Sequence, residues 1–259
     1  MAERRGPGRG SNRRRPFGLA LALGSVVLLA SCAPQGPRPV AAPVAQEAPP
    51  GFPDVDYRQA AARGEAVYRI EPERSLVAIE VRRGGPLARL GHDHVVSSRS
   101  VQGYVTLGQR RADLTVPLDR LIVDDAELRK AAGFDTQPST ADIEGTRINM
   151  LERVLQAERY PRLVVQVRQG AGVPGGAGAA GNVGAGDDME IAITLHGVTR
   201  KQQLPVQLEV ERDAIVARGA FSVLQSDFGI MPFALLGGII QVQDRLSVRF
   251  ELRGRRFTP

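Results

Sequence analysis

His92 and His94 stand two residues apart in the run Gly91-His92-Asp93-His94, and they are two of the three histidines in the chain. In an extended segment alternate side chains share a face, so both imidazoles would project to one side. Two imidazoles presented together are one way to hold a metal ion, with His196 or Asp93 as a further ligand, although Asp93 would point the other way in an ideal strand. Zinc sites use three or four protein ligands, so the pair alone is a weak metal site, and a local hydrogen-bonding role is the better reading. His196 lies opposite the apolar positions that precede it and next to Gly197, which places it outside or at a strand end beside a turn. Asp124, Asp125 and Glu127 bring carboxylates together, and paired carboxylates can serve hydrolysis. Their place before a helical segment reads instead as a solvated loop. The chain has no Gly-x-Ser-x-Gly elbow. It is therefore read as a non-enzyme with no catalytic residues and no required cofactor; a metal-dependent enzyme or metal-binding protein built on His92 and His94 is the alternative.

The elements that position these residues are strands. Val77, Ile79 and Val81 alternate with Ala78, Glu80 and Arg82. The same period of two runs through Val101 to Leu107, Asp113 to Leu118, Ile191 to His196, Leu204 to Val210 and Leu246 to Leu252. Such alternation marks strands with one apolar and one wet face. Leu163 to Val167 and Ile215 to Leu224 add two more. About eight antiparallel strands with one shared apolar side pack as a sandwich or close into a barrel, and closure removes exposed edges. One segment breaks the period. Ile148, Leu151, Val154 and Leu155 share a helical face, with a start near Ser139–Asp142 and a stop before Tyr160-Pro161. The fold class is thus all-β, with one helix inserted midway. Val55 to Arg63 reads as a further short helix. Residues 170–187 are nearly all Gly, Ala and Val, and they form a low-complexity surface loop at a strand–strand join, not a phosphate cradle.

The first 31 residues are expected to be a signal peptide. Six arginines precede the apolar run Leu19 to Leu29, which is shorter than the about 20 residues that span a bilayer. Leu29-Ala30-Ser31-Cys32 resembles the lipobox of bacterial lipoproteins. Cys32 is the single cysteine, so no intrachain disulfide forms and lipidation of Cys32 is its expected fate. Arg14-Arg15-Pro16-Phe17 is a weak match to a twin-arginine export signal. Residues 32–65 form a Pro/Ala-rich tether without enough apolar surface to fold. The first 31 residues hold six of the 34 basic and one of the 28 acidic residues, so the rest carries 28 against 27, a net charge of +1 in place of +6. That near-neutral balance gives no sign of a nucleic-acid partner. Ala33 is not the aspartate of inner-membrane retention, so the expected place is the outer membrane, facing the periplasm.

Four segments carry a resemblance to the YceI-like family. They are Val67-Tyr68-Arg69-Ile70 followed by Ser75-Leu76-Val77; Glu158-Arg159-Tyr160-Pro161-Arg162-Leu163; Leu195-His196-Gly197-Val198-Thr199-Arg200; and Phe221 to Gly229 with Ser226-Asp227-Phe228-Gly229. Their order and spacing cover about Ala66 to Leu252, within a domain expected at 66–259. The resemblance implies a lipocalin-like antiparallel β-barrel that holds an isoprenoid, quinone or fatty-acid chain in its lumen, with no general catalytic residues. This chain departs from the pattern in its tether, its Gly-rich insertion and its Gly91–His94 run. Inward positions expected to meet such a ligand are Val77, Ile79, Val105, Val116, Ile193, Val206, Phe221 and Val248. Phe228 and Phe233, with Leu235 and Leu236, belong to an apolar segment that would cover the mouth or join the core. A barrel filled by its own side chains, serving a structural or partner-binding role, is the remaining alternative.

Overall fold

The computed structural model describes residues 52–168 and 187–259. The expected signal peptide, Cys32, most of the tether and nearly all of the Gly-rich loop lie outside them. Helix α1 (Asp54–Ala62) comes first. Strands β1 (Val67–Ile70), β2 (Leu76–Val81), β3 (Arg83–Gly84), β4 (His94–Ser98), β5 (Gln102–Thr106), β6 (Arg111–Pro117) and β7 (Ile122–Val123) follow. Helices α2 (Ala126–Ala132) and α3 (Thr140–Asn149) lead to β8 (Arg162–Arg168), β9 (Asp187–Leu195), β10 (Val198–Val210) and β11 (Ala214–Leu224). Two short strands, β12 (Ala234–Leu235) and β13 (Ile240–Val242), precede the long β14 (Arg245–Arg256).

Eight of these close into an antiparallel barrel in the order β1-β5-β6-β8-β9-β10-β11-β14, with β14 returning to β1. Tyr68 lies opposite Arg256 and Ile70 opposite Gly254 at that seam. The first half of β14 pairs with β2 instead, Val248 opposite Ile79 and Phe250 opposite Val77. Thus β1 and β2 act as one strand broken at residues 71–75. The same break recurs in β4 and β5, and again in β6 and β7, because β4 pairs with β2 and β7 just as β5 pairs with β1 and β6. Pro72 and Pro117 lie at two of these breaks. Proline donates no ladder bond, so strands end or bend there. At the first break Ser75 replaces the missing ladder: its Oγ accepts from the Arg253 amide at 3.0 Å and donates to the Glu71 carbonyl at 2.8 Å.

Beyond β7, no strand among the described residues continues the wall to β8. Helix α3 and a following π-helical turn, Met150–Val154, lie there instead. Ser139 and Asp142 form a capping box that starts α3 where the sequence placed it. Of the face expected from the sequence, Leu151, Val154 and Leu155 pack on the core and Ile148 does not. Ile143, Met150, Leu151 and Leu155 meet the core, while Ile148 is 43% exposed. The reason is the π-turn, in which the Leu155 amide donates to the Met150 carbonyl at 2.8 Å, five residues back. That extra residue rotates the later side chains relative to an unbroken α-helix. The midway insertion also contains α2, so it holds two helices where the apolar pattern showed one.

Helix α1 packs on the outside of the wall, so the folded unit begins before residue 66. Its Tyr57 stacks on Tyr104 of β5 with ring centroids 5.1 Å apart. The Tyr57 hydroxyl donates to Asp113 of β6 at 2.7 Å. Asp113 also accepts from Arg111, Gln166 and Arg168 at 2.7, 3.0 and 2.8 Å. The alternation puts Asp113 on a wet face, yet its side chain is only 1% exposed because α1 covers it. Burial works against its charge, but the donors from Arg168, Tyr57 and Arg111 prevail and hold its carboxyl below the usual range. Burial and the same carboxylate push the Tyr57 phenol up.

A carboxyl with a lowered folded value stabilises the protein above its unfolded value of about 3.9, and that contribution fades as pH falls through the folded value. Asp113→Asn is expected to cost about 1–3 kcal/mol at pH 7. The gap from the unaltered protein should shrink below about pH 4. Urea denaturation of both proteins at pH 7 and at pH 3 measures it; a gap of equal size at both values removes the charge from the account.

Candidate functional site: the barrel lumen

The barrel encloses a cavity of about 1700 Å³. Its wall is built by the period-two rule. Val77 and Ile79 of β2, Val105 of β5, Val116 of β6, Val165 of β8, Ile193 of β9, Val206 of β10, Phe221 of β11 and Val248 of β14 all face it. Every one of the ten positions expected to meet an apolar ligand lies on this wall, Phe228 and Phe233 included. Gly219 of β11 sits opposite Phe250 of β14, and a Cβ there would come within 2.6 Å of the ring. The absent side chain lets Phe250 lie across β11 and meet Phe221 edge-on at 6.3 Å.

The segment after β11 divides its apolar residues among three environments. Phe228 and Ile230 are buried. Phe233, Leu235 and Ile240 line the cavity beside the inner side of α3. Met231 and Leu236 are 86% and 71% exposed, and Leu90 and Ile239 are exposed too. The segment therefore contributes to both the core and the cavity lining, and it adds exposed apolar side chains.

His92 and His94 both line the cavity at the α3 end. His94 opens β4, and its ring lies 6.2 Å from that of His92. Its Nδ1 meets Asp124 Oδ2 at 2.6 Å. The other Asp124 oxygen accepts from the Val95 amide at 2.9 Å and from Arg129 at 2.6 Å. Asp124 is therefore buried, not part of a solvated loop, and no periodic pattern around it reveals this. Burial opposes its charge, while the bonds from His94, Val95 and Arg129 outweigh burial and lower its carboxyl value. Asp125 caps α2 by accepting from the amides of Glu127 and Leu128. Asp93 turns away from both histidines and accepts from the Arg83 amide at 2.9 Å.

Among the described residues no group of three or more His, Cys, Asp or Glu is arranged to hold a metal. The His92 and His94 pair falls short of the ligand set zinc uses. His196 belongs elsewhere. It and Gly197 have φ values of 52° and 76° in the two-residue turn between β9 and β10, the positive values of a type I′ hairpin. The His196 ring packs on Tyr160 at 4.6 Å. Tyr160 also lies so close to Gly197 that a Cβ there would sit 2.9 Å from the ring. The Tyr-Pro segment and the Gly-Val-Thr turn thus touch.

A closed eight-stranded antiparallel barrel with an apolar lumen defines the class as lipocalin-like. The model of the YceI-like domain matches residues 68–253, and the chain belongs to that family. Among solved structures, a polyisoprenoid binding domain from Saccharophagus degradans, implicated in plant cell wall breakdown, is 13% identical with a TM-score of 0.52. The match covers 74% of this chain and 99% of that one. BcnA of Burkholderia cenocepacia is 12% identical over 71% of this chain and 98% of its own, with a TM-score of 0.44. No curated protein sequence matches. At such identities the first likeness bears on the fold alone.

Asp124→Ala removes the acceptor shared by a ring, an amide and a guanidinium, all buried or nearly so. It is expected to destabilise the protein by about 2–4 kcal/mol, since unpaired buried donors cost more than the bond itself was worth. Thermal unfolding of the two proteins side by side gives the value; a change under about 0.5 kcal/mol, the range of ordinary surface substitutions, would mean that water satisfies these donors.

Proposed function

We propose that this protein is an exported, lipid-anchored binding protein that holds an isoprenoid or similar long apolar chain inside its barrel. The observation that carries the reading is the lumen of about 1700 Å³, walled by aliphatic and aromatic side chains from all eight strands. Typical small-molecule sites measure about 300–1,000 Å³, so this one suits a long ligand better than a compact one. Each methylene withdrawn from water contributes about 0.8 kcal/mol. A chain of about twenty carbons then gains roughly 16 kcal/mol, set against about 4–15 kcal/mol for lost freedom on binding. A short chain would not cover that cost; a long one does.

Membership of the YceI-like family supports an apolar ligand, as does the name of the Saccharophagus degradans domain. Function by binding, not catalysis, follows the family and the absence of any catalytic motif in the sequence. The lipobox-like Leu29–Cys32 and the Pro/Ala-rich stretch after it support a periplasmic protein tethered by Cys32 lipid, with Ala33 favouring the outer membrane. Leu90 lines the lumen and is exposed, and its segment adjoins the exposed Ile239, because the Leu87 amide donates to the Ile239 carbonyl; Met231 and Leu236 are exposed as well. An apolar rim beside a lumen suits passage of an apolar chain between membrane and barrel.

The test is native mass spectrometry with parallel organic extraction on the full chain, expressed with export and purified gently. One apolar molecule of isoprenoid, quinone or fatty-acid mass per chain is expected, together with a diacylglycerol adduct on Cys32. Val165→Trp, which fills the lumen, should lower the bound fraction. A protein that carries nothing, and takes up none of these lipids when offered them, would favour a structural or partner-binding lipoprotein.

A further inference from the structure

A polar group on the wall of an apolar lumen costs free energy unless something holds it there for use. His94 is such a group: its side chain is 10% exposed and it lines the cavity. It is held by a chain of bonds that runs outward. Asp124 takes the Nδ1 side of the ring at 2.6 Å and is itself taken by Arg129 at 2.6 Å. Arg129 is anchored further by the carbonyl oxygens of Asp93 and Thr136. Asp124 adopts φ 59°, in the left-handed region that aspartate enters more readily than most residues, and in this conformation its carboxylate meets the ring.

In the neutral ring, an ionised carboxylate beside Nδ1 places the proton on Nδ1. Nε2 is then the lone-pair nitrogen, and it has no hydrogen-bond partner among the described residues. Close by, the Nδ1 of His92 is buried and also without a partner. Three of the positive charges at this end are paired with carboxylates, and among the described residues Arg153 meets only Asn149 and an aromatic ring. Arg83 pairs with Asp135 at 2.9 Å, Arg82 with Glu80 at 2.9 Å, and Arg129 with Asp124. Arg153 lies over the Phe233 ring. The group that fits here is an uncharged hydrogen-bond donor, not an anion.

Resting on the reading of the lumen as a site for an apolar chain, we propose that His94 accepts a hydrogen bond from a terminal hydroxyl of that chain. The ligand class is a long-chain alcohol or phenol, prenol or quinol, seated with its hydroxyl at the α3 end and its hydrocarbon along the barrel. Asp124 is a positioning residue that fixes the ring.

The probes are geranylgeraniol, its methyl ether and geranylgeranyl phosphate, competed against one another on the delipidated full-length protein by native mass spectrometry. The alcohol should bind about three- to tenfold more tightly than the ether, the range for one net hydrogen bond. In His94→Phe the two should bind alike, at the affinity the unaltered protein shows for the ether. A second measurement needs no variant: in ¹⁵N-imidazole-labelled protein, the Nε2 resonance of His94 should move on adding the alcohol and stay on adding the ether. Equal binding of alcohol and ether, a preference that survives His94→Phe, or tighter binding of the phosphate would each overturn the proposal while leaving the lumen a lipid site. If none of the three probes binds, the lipid-binding reading falls with it.

Discussion

The constraint on which everything else depends is the seam between β14 and β1. Strand β14 is twelve residues long and serves three neighbours, β11 along one side and β1 and β2 in turn along the other. With that seam made, each of the eight barrel strands has a hydrogen-bonded neighbour on both sides, and open edges among the described residues are confined to β7 and the small sheet β12-β13-β3. The wall then stands without needing anything across its middle. A two-layer sandwich has no such freedom, because its sheets are held by side chains that interlock between them.

Side-chain size decides what the closed wall encloses. A barrel of eight strands is at the width where large inward residues fill it and small ones leave room for one ligand. This chain has no tryptophan and only eight phenylalanines. Its inward positions are mostly Val, Ile, Leu and Ala, with Gly219 at one of them, and the breaks in β1/β2, β5/β4 and β6/β7 lengthen the wall around one end. Helix α3 and its π-turn take the place of the strand pairing that β7 does not make. The cavity is thus a consequence of closure plus small side chains, and no single residue creates it.

The inward face was legible because a strand repeats every two residues, and burial on one side alone writes that repeat into the sequence. Hence eight of the lumen positions were found by counting, while Phe228 and Phe233 were singled out only as part of an apolar segment. What counting missed lies where a second layer covers the wall. Asp113 occupies an outward position, and only the packing of Tyr57 from α1 makes that position interior. Asp124 follows a two-residue strand with a positive φ, and its partners His94 and Arg129 are 30 residues before it and 5 after it. A local pattern cannot report such a network. Ile148 was misplaced for a different reason, since a π-turn shifts the helical phase without leaving any mark in the composition.

The two networks that escaped the pattern have a common physical role. A hollow barrel lacks the central packing that stabilises a solid core, so its stability must come from the wall and from what covers it. Asp113 ties α1 to β6 and β8 on the outside at one place; Asp124 ties β4 to α2 at another. Both place a carboxylate among several donors, which makes each bond directional and each position hard to shift. The more a wall is fixed from outside, the less binding energy is spent on reorganising it when a ligand enters. Any chain that enters then stabilises the fold in proportion to its concentration over its dissociation constant, by linkage alone. The polar clamps outside and the apolar lumen inside are in this sense one arrangement: the first maintains the space that the second offers.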